Sequence, residues 1–240
     1  MDSAKYVFKT LDYLLKHKAK IVVRSVVTDY SVKFMPQAVN FFADRGVKYL
    51  RFETVNPWGR AEKLDIKPPS NRDYLRYFKK AFRISLKRKV SLISGSLLNF
   101  FTPSIHSCLT MSGEEMIVLP SGKVTGCYAV FNNDHPLSNP FIYGHYNNRK
   151  KEFVLDKCKK NILRNFNVEN IKKCSACPLK YLCSGGCPLV HYTHTRLRNL
   201  YNVSKKWCEL TKGIGSSIIE ELFRYYYIKK NKKVAKDKNE

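Results

Sequence analysis

The sequence has 240 residues, with 44 Lys plus Arg against 19 Asp plus Glu and a formal net charge of +25. Hydrophobic residues at 44% and aromatics at 13% are enough to fill a core, which excludes a wholly disordered chain. No apolar run approaches the roughly 20 residues that span a bilayer, and Met1-Asp2-Ser3-Ala4-Lys5 lacks the apolar stretch of a secretory signal, so a soluble, cytoplasmic protein is expected.

Ser3 is placed to cap a helix whose apolar face runs Tyr6, Val7, Leu11, Leu14, Leu15. The β-branched run Ile21 to Val27 then has the length and composition of a strand. Val32 to Asp44 reads as a helix with Phe34, Met35, Ala38, Val39 and Phe42 inward and Gly46 as its stop. Lys48 to Val55 is a second strand. Pro68-Pro69-Ser70 opens a helix in which Ser70 and Asp73 form a capping-box-like start, with Tyr74, Leu75, Phe78, Ala81, Phe82 and Leu86 apolar. Val90 to Ile93 is a third strand. The order α-β-α-β-α-β predicts parallel strands with helical crossovers, too few to close an eight-stranded barrel.

From about Phe100 the texture changes to short strands, Gly, Pro and cysteine. Met116 to Leu119, the turn Pro120-Ser121-Gly122 and Lys123 to Cys127 predict a β-hairpin. Phe153 to Ile171 is expected to be helical in part. Ile214 to Ile228 reads as a closing helix with Ile218, Ile219, Leu222, Phe223 and Tyr226 on its apolar side. Residues 229–240 hold six Lys against two acids and are expected to be a solvated tail.

All eight cysteines fall between Cys108 and Cys208, so one region is built around sulfur and the rest is not. In a reducing compartment such density points to metal or redox chemistry more than to disulfides. Two residues separate Cys174 from Cys177, five lie before Cys183, three before Cys187 and twenty before Cys208. A Cys-x-x-Cys turn brings two thiolates to one centre, and longer spacings bring ligands from other turns. Gly185-Gly186 would let backbone pass close to a bulky inorganic core, and Trp207 would shield it. Structural zinc on Cys174, Cys177, Cys183 and Cys187 is the competing assignment, but it leaves Cys108, Cys127 and Cys208 unexplained.

The order Cys108…Gly122…Cys127…Cys174…Cys177…Cys183…Cys187…Cys208 resembles the seven-cysteine signature of the SPASM domain, the C-terminal extension of radical S-adenosylmethionine (SAM) enzymes that modify peptides and proteins. The strands Ile21 to Thr28 and Lys48 to Val55, followed by Gly59-Arg60-Ala61, are similar to the later part of the radical SAM partial barrel. The resemblance implies an α/β chain divided into residues 1–100, half of a partial (β/α) barrel, residues 101–228, an irregular cysteine-rich SPASM-type iron–sulfur domain, and residues 229–240, a basic tail. It further implies two auxiliary [4Fe–4S] clusters, the first on Cys108, Cys127 and Cys187 and the second on Cys174, Cys177, Cys183 and Cys208. The fourth site of the first cluster would be open, ligated by His106 or filled by a substrate atom, while Cys158 among Lys157, Lys159 and Lys160 reads as a free thiol. Arg24 and Glu53, charges inside apolar strands, either face a SAM or substrate pocket or sit on a solvated, paired face.

The Cys-x3-Cys-x2-Cys triad that binds the SAM-cleaving cluster is not found before Cys108. The chain alone is therefore expected not to cleave SAM, and SAM would join only if a separate N-terminal radical SAM half were supplied. A peptide or protein substrate is the implied partner. Lys and Arg are spread along helices and the tail without a recognised nucleic-acid motif, so solvated faces explain the charge better than nucleic-acid binding. A zinc-stabilised basic module for nucleic acid or an acidic protein, and a non-functional remnant, are the alternatives.

Overall fold

The computed structural model describes residues 3–237, with side chains as far as Ile228. The chain divides into two compact units, residues 1–97 with 209–240, and residues 98–208. Among the described residues no helix is long and apolar enough to cross a membrane.

The first unit carries α1 (Ser3–Lys16), β1 (Val23–Val27), α2 (Met35–Asp44), β2 (Tyr49–Thr54), α3 (Arg60–Lys63), α4 (Asn71–Arg88) and β3 (Ser91–Ser94). The α-β-α-β-α-β order expected from the sequence is present, and the strands form one parallel sheet in the order β1-β2-β3. Strand alternation sends Val27, Leu50, Phe52 and Leu92 to a buried face. Here α4 meets the sheet through Tyr74, whose hydroxyl donates to the Phe52 carbonyl at 3.3 Å and lies 3.1 Å from the Ser94 hydroxyl. Burial holds that phenol far above its ordinary pKa, so it stays a neutral hydrogen-bonding group. On α4 the rings of Tyr74, Phe78 and Phe82 stack at 5.9 Å intervals and are all buried.

Local signals set the helix ends. Asp73 N–H donates to the Ser70 hydroxyl at 3.0 Å, and that hydroxyl donates to the Asp73 carboxylate at 2.7 Å, which completes the expected start of α4. The stretch before α2 is a 3₁₀ turn, Val32–Phe34, so Phe34 turns outward while Val32 takes the buried place. Gly46 ends α2 at φ +85, where a side chain would be strained. On α1 the expected apolar face is partly wrong. Leu11 is buried, Tyr6 and Val7 face solvent, and Phe8 makes the contact, edge-on to Phe41 at 5.4 Å with Arg45 stacked over Phe41.

The second unit contains α5 (Leu109–Ser112), β4 (Ile117–Val118), β5 (Lys123–Thr125), α6 (Ser138–Phe141), β6 (Ile142–Asn147), β7 (Glu152–Leu155), α7 (Lys157–Asn165), α8 (Lys180–Cys183) and α9 (Pro188–Thr195). The expected hairpin is β4–β5, turning at Gly122 with φ +78. It is extended by β6 and β7 into an antiparallel meander that the sequence did not announce. Gly144 of β6 is needed because a Cβ there would lie 2.7 Å from the Val154 carbonyl.

The last helix, α10 (Lys205–Asp237), is far longer than the expected Ile214 to Ile228. Backbone expected to be tail is helical through Asp237, while residues 238–240 of that tail lie outside the described residues. In the first unit Ile214 and Ile218 of α10 are buried, but Ile219, Phe223 and Tyr226 are exposed. Gly213 lets α10 approach α4, since a Cβ there would come within 2.6 Å of Leu75. The pairing is fixed by Glu221, a buried carboxylate that accepts from Arg83 Nε and Nη2, both at 2.7 Å. That fork holds the Glu221 carboxyl below its ordinary range.

Candidate metal centre

The cysteines of the second unit sit at the ends of short turns. Cys108 precedes α5 and Cys187 precedes α9, each with extended backbone at the N-cap. Cys127 follows β5, and its carbonyl accepts from Val130 N–H at 2.9 Å. Between Ile171 and Cys187 the chain advances one turn at a time. Cys174 N–H donates to Ile171, Cys177 N–H to Cys174, Lys180 N–H to Cys177, and Gly186 N–H to Cys183, at 2.8 to 3.1 Å. Such turns re-aim a side chain every three residues without a long helix or strand to hold them.

Two polar side chains that sequence reasoning missed tie this run to the loop before Cys108. Asn99 donates to the Ser184 hydroxyl at 2.8 Å and to the His106 carbonyl at 3.0 Å. The Ser184 hydroxyl in turn donates to the Ser104 carbonyl at 2.6 Å. Ser184 adopts φ +52 to do so, between Cys183 and Gly185. Asn99 and Ser184 carry no motif.

Electrostatics sort the seven signature cysteines into two sets. Burial pushes the Cys187 thiol up to about 12, with the charges of Cys108 and Cys127 adding to the rise, while N–H groups of Val190 and Leu189 at the start of α9 favour the thiolate. Burial also raises Cys127, again with Cys108 contributing. In the other set burial pushes Cys183 up to about 12, opposed by Trp207 and reinforced by Cys174, Cys208 and Cys177. Cys174 is pushed up to about 11 by burial and then by Cys208 and Cys177. Thus Cys127 and Cys187 both feel Cys108, and Cys174 and Cys183 both feel Cys177 and Cys208. Cys158 enters neither set and is exposed at the start of α7.

Among the described residues no three His, Cys, Asp or Glu side chains are close enough to hold one metal ion. A single zinc with four thiolates needs sulfurs roughly 3.8 Å apart, whereas a cubane iron–sulfur core lies inside its thiolates and holds them farther apart. Thiols with raised pKa values are protonated at neutral pH, and a cationic centre is what would make ligands of them.

Around the second set two buried polar atoms have no partner, Trp207 Nε1 and His191 Nδ1. The rings meet edge to face at 5.7 Å and 87°. His191 Nε2 lies 2.7 Å from the Gly185 carbonyl, which can only accept, so the proton is on Nε2. Burial lowers this imidazole to about 4 and keeps it neutral. A thiolate or sulfide acceptor fits the orphaned indole N–H, and the four-thiol donor set fits an iron–sulfur centre. The two glycines make room for neighbouring side chains. Gly185 and Gly186 have φ +77 and +75, and a Cβ would meet Ile171 at 2.3 Å and Trp207 Nε1 at 2.5 Å. They admit side chains of this chain. His106, the expected alternative ligand, keeps a buried Nδ1 without a partner. His194 Nδ1 is within 2.9 Å of the Ser204 hydroxyl, and His135 Nδ1 accepts from Leu137 N–H.

In the first unit, Arg24 and Glu53 are brought together on the second face of the parallel sheet. Glu53 pairs with Arg24 and also with Arg51, a residue the sequence reading passed over. Arg24 stands opposite Arg51 in the β1–β2 register, and Glu53 is two residues further along the same face. Gly95 makes room for the carboxylate, since a Cβ there would lie 2.5 Å from Glu53 Cγ. Arg51 Nε remains buried without a partner. The two guanidiniums and one carboxylate leave one positive charge, flanked by exposed Val26 and Tyr49.

Against known proteins, no family model matches the sequence and no curated protein matches it. Solved structures do match. Native anSMEcpe with bound AdoMet is similar over 94% of this chain and 62% of that chain, with 16% identity and a TM-score of 0.64. The fold resembles that of a radical SAM enzyme. The same protein with AdoMet and the Kp18Cys peptide aligns at 16% identity and TM-score 0.60, and with the Cp18Cys peptide at 15% and 0.59. These neighbours are an anaerobic sulfatase-maturating enzyme, a radical SAM/SPASM enzyme. The chain spans less than two thirds of the length of this radical SAM neighbour.

Proposed function

We propose that this chain is the iron–sulfur-binding portion of a radical SAM/SPASM maturase that modifies a peptide or protein. In this reading residues 1–100 are the later part of a radical SAM-like partial barrel, residues 101–228 a SPASM-like domain and residues 229–240 a basic tail. Cys108, Cys127 and Cys187 hold a first auxiliary [4Fe–4S] cluster, and Cys174, Cys177, Cys183 and Cys208 a second. The observation that supports the reading is that Cys127 and Cys187 lie within reach of the charge of Cys108, whereas Cys174 and Cys183 lie within reach of Cys177 and Cys208.

When bound, such clusters supply one-electron transfer or an open iron for a substrate atom. The residues of this chain do the rest. Trp207 and Cys174 are buried at the second set, and the N–H groups of Leu189 and Val190 stabilise charge at Cys187. Arg24, Glu53 and Arg51 form a charged cradle for an anionic group of SAM or of substrate. SAM cleavage needs a Cys-x3-Cys-x2-Cys cluster that these 240 residues do not carry, and the substrate is a peptide or protein, in keeping with the peptide complexes of the structural neighbour.

Anaerobic reconstitution followed by metal and sulfide analysis tests the reading. The expected result is a brown protein with about eight irons and eight sulfides per chain. Zinc without acid-labile sulfide overturns it in favour of a zinc-stabilised basic module. The reconstituted chain is expected to form no 5′-deoxyadenosine from SAM, and formation of that product overturns the claim that SAM cleavage lies elsewhere.

A further inference from the structure

We infer that the Trp207 indole N–H is the hydrogen-bond donor to the Cys183 sulfur, held in place by His191, and that it raises the reduction potential of the centre bound by the second cysteine set. The inference rests on the function proposed above and assigns to Trp207 a task beyond shielding.

Trp207 is only 7% exposed, and its Nε1 is one of few buried polar side-chain atoms without a partner among the described residues. A buried N–H left without an acceptor is costly, and native structures rarely keep one without a reason. The ring lies over Gly186, where a Cβ would come within 2.5 Å of Nε1 and 2.9 Å of Cε2. Gly186 N–H closes the turn that starts at Cys183, at 3.0 Å. The indole nitrogen therefore sits against the turn that presents the Cys183 sulfur.

His191 fixes the ring. Its Nε2–H donates to the Gly185 carbonyl at 2.7 Å, and its plane meets the indole edge to face at 87°. Both supports come from the Gly185-Gly186 pair and the residues packed on it, so the two glycines, His191 and Trp207 work as one assembly. An N–H···S bond stabilises the more negative, reduced state of an iron–sulfur centre more than the oxidised state. Losing it lowers the potential.

The test uses the reconstituted full chain and Trp207→Phe, which keeps the aromatic bulk and removes the donor. Iron and sulfide are expected to be unchanged, with one of two reduction waves moved to lower potential and the other unmoved. Trp58 is the second of two tryptophans, so ¹⁵N-Trp labelling in a Trp58→Phe background isolates Trp207. Pulsed EPR of the reduced protein is expected to show ¹⁵N coupling, lost in Trp207→Phe. Gly186→Ala pushes the indole away with Trp207 present and is expected to reproduce the potential shift. Full iron content with neither a shift nor ¹⁵N coupling overturns this inference and leaves the proposed function standing. Failure to bind iron and sulfide at all overturns the proposed function itself.

Discussion

The two units solve the problem of holding a chain together by different means. The first relies on repeating apolar side chains. Leu50, Phe52, Tyr74, Phe78 and Leu92 are buried, and the Tyr74 hydroxyl has partners. The second uses one-turn steps, left-handed Ser184, Gly185 and Gly186, and thiols that burial keeps protonated. It also retains orphaned atoms at His106, His191 and Trp207. The first unit leaves one such atom, Arg51 Nε, on its sheet face, whereas the second gathers its unspent donors among buried thiols, a region shaped for something it must still receive.

The strongest way to break this contrast is to remove the sulfur. Cys174→Ser with Cys177→Ser is expected to abolish loading of the second set and cost several kcal/mol or more, by analogy with structural metal sites worth roughly 10 kcal/mol. Hydrogen exchange is expected to show the loss in residues 98–208 while the first unit keeps its protection. Phe78→Ala addresses the other side. Truncating the middle ring of the α4 stack is expected to cost about 3–5 kcal/mol in urea unfolding of the first unit.

Glu221→Gln sharpens the comparison further. Because Arg83 holds the folded carboxyl below its ordinary value, the pair contributes stability above the unfolded pKa of 4.5 that is lost as the pH falls through the folded value. The variant is expected to lose about 1–3 kcal/mol at neutral pH, moderated by the half-exposed Arg83, and to flatten the acid limb of stability against pH. Ser70→Ala, which removes the α4 cap, is expected to cost about 1 kcal/mol. Thermal melts suffice for the last two.

Much of the first unit was legible because helix and strand periods differ. Tyr74, Phe78, Ala81 and Phe82 repeat at helical spacing, and Ser70 with Asp73 marks the start of their helix. Legibility fails where a contact spans the sequence. Arg83 and Glu221 are 138 positions apart, and no local pattern announces their fork or the small residue Gly213 needed beside Leu75. Ile219, Phe223 and Tyr226 have buried-looking spacing yet face solvent, since spacing defines a stripe and not what covers it. In the second unit the cysteine register pointed to candidate ligands, while β6 and β7 were hidden by His145, Asn147 and a Lys-rich turn that dilute the strand signal. Arg51 was missed although it lies two residues from Glu53, the one-face spacing of a strand.

The second face of the parallel sheet has a practical consequence. Sheets of this kind are normally covered on both sides, yet here Val22, Val26 and Tyr49 lie open beside β1, which has no neighbour on its outer side among the described strands. An open strand next to oily side chains is a template for stacking onto another molecule. Concentrated samples should therefore show growing particle size in light scattering, and Val22→Lys with Val26→Lys should keep them dispersed without touching the sulfur chemistry.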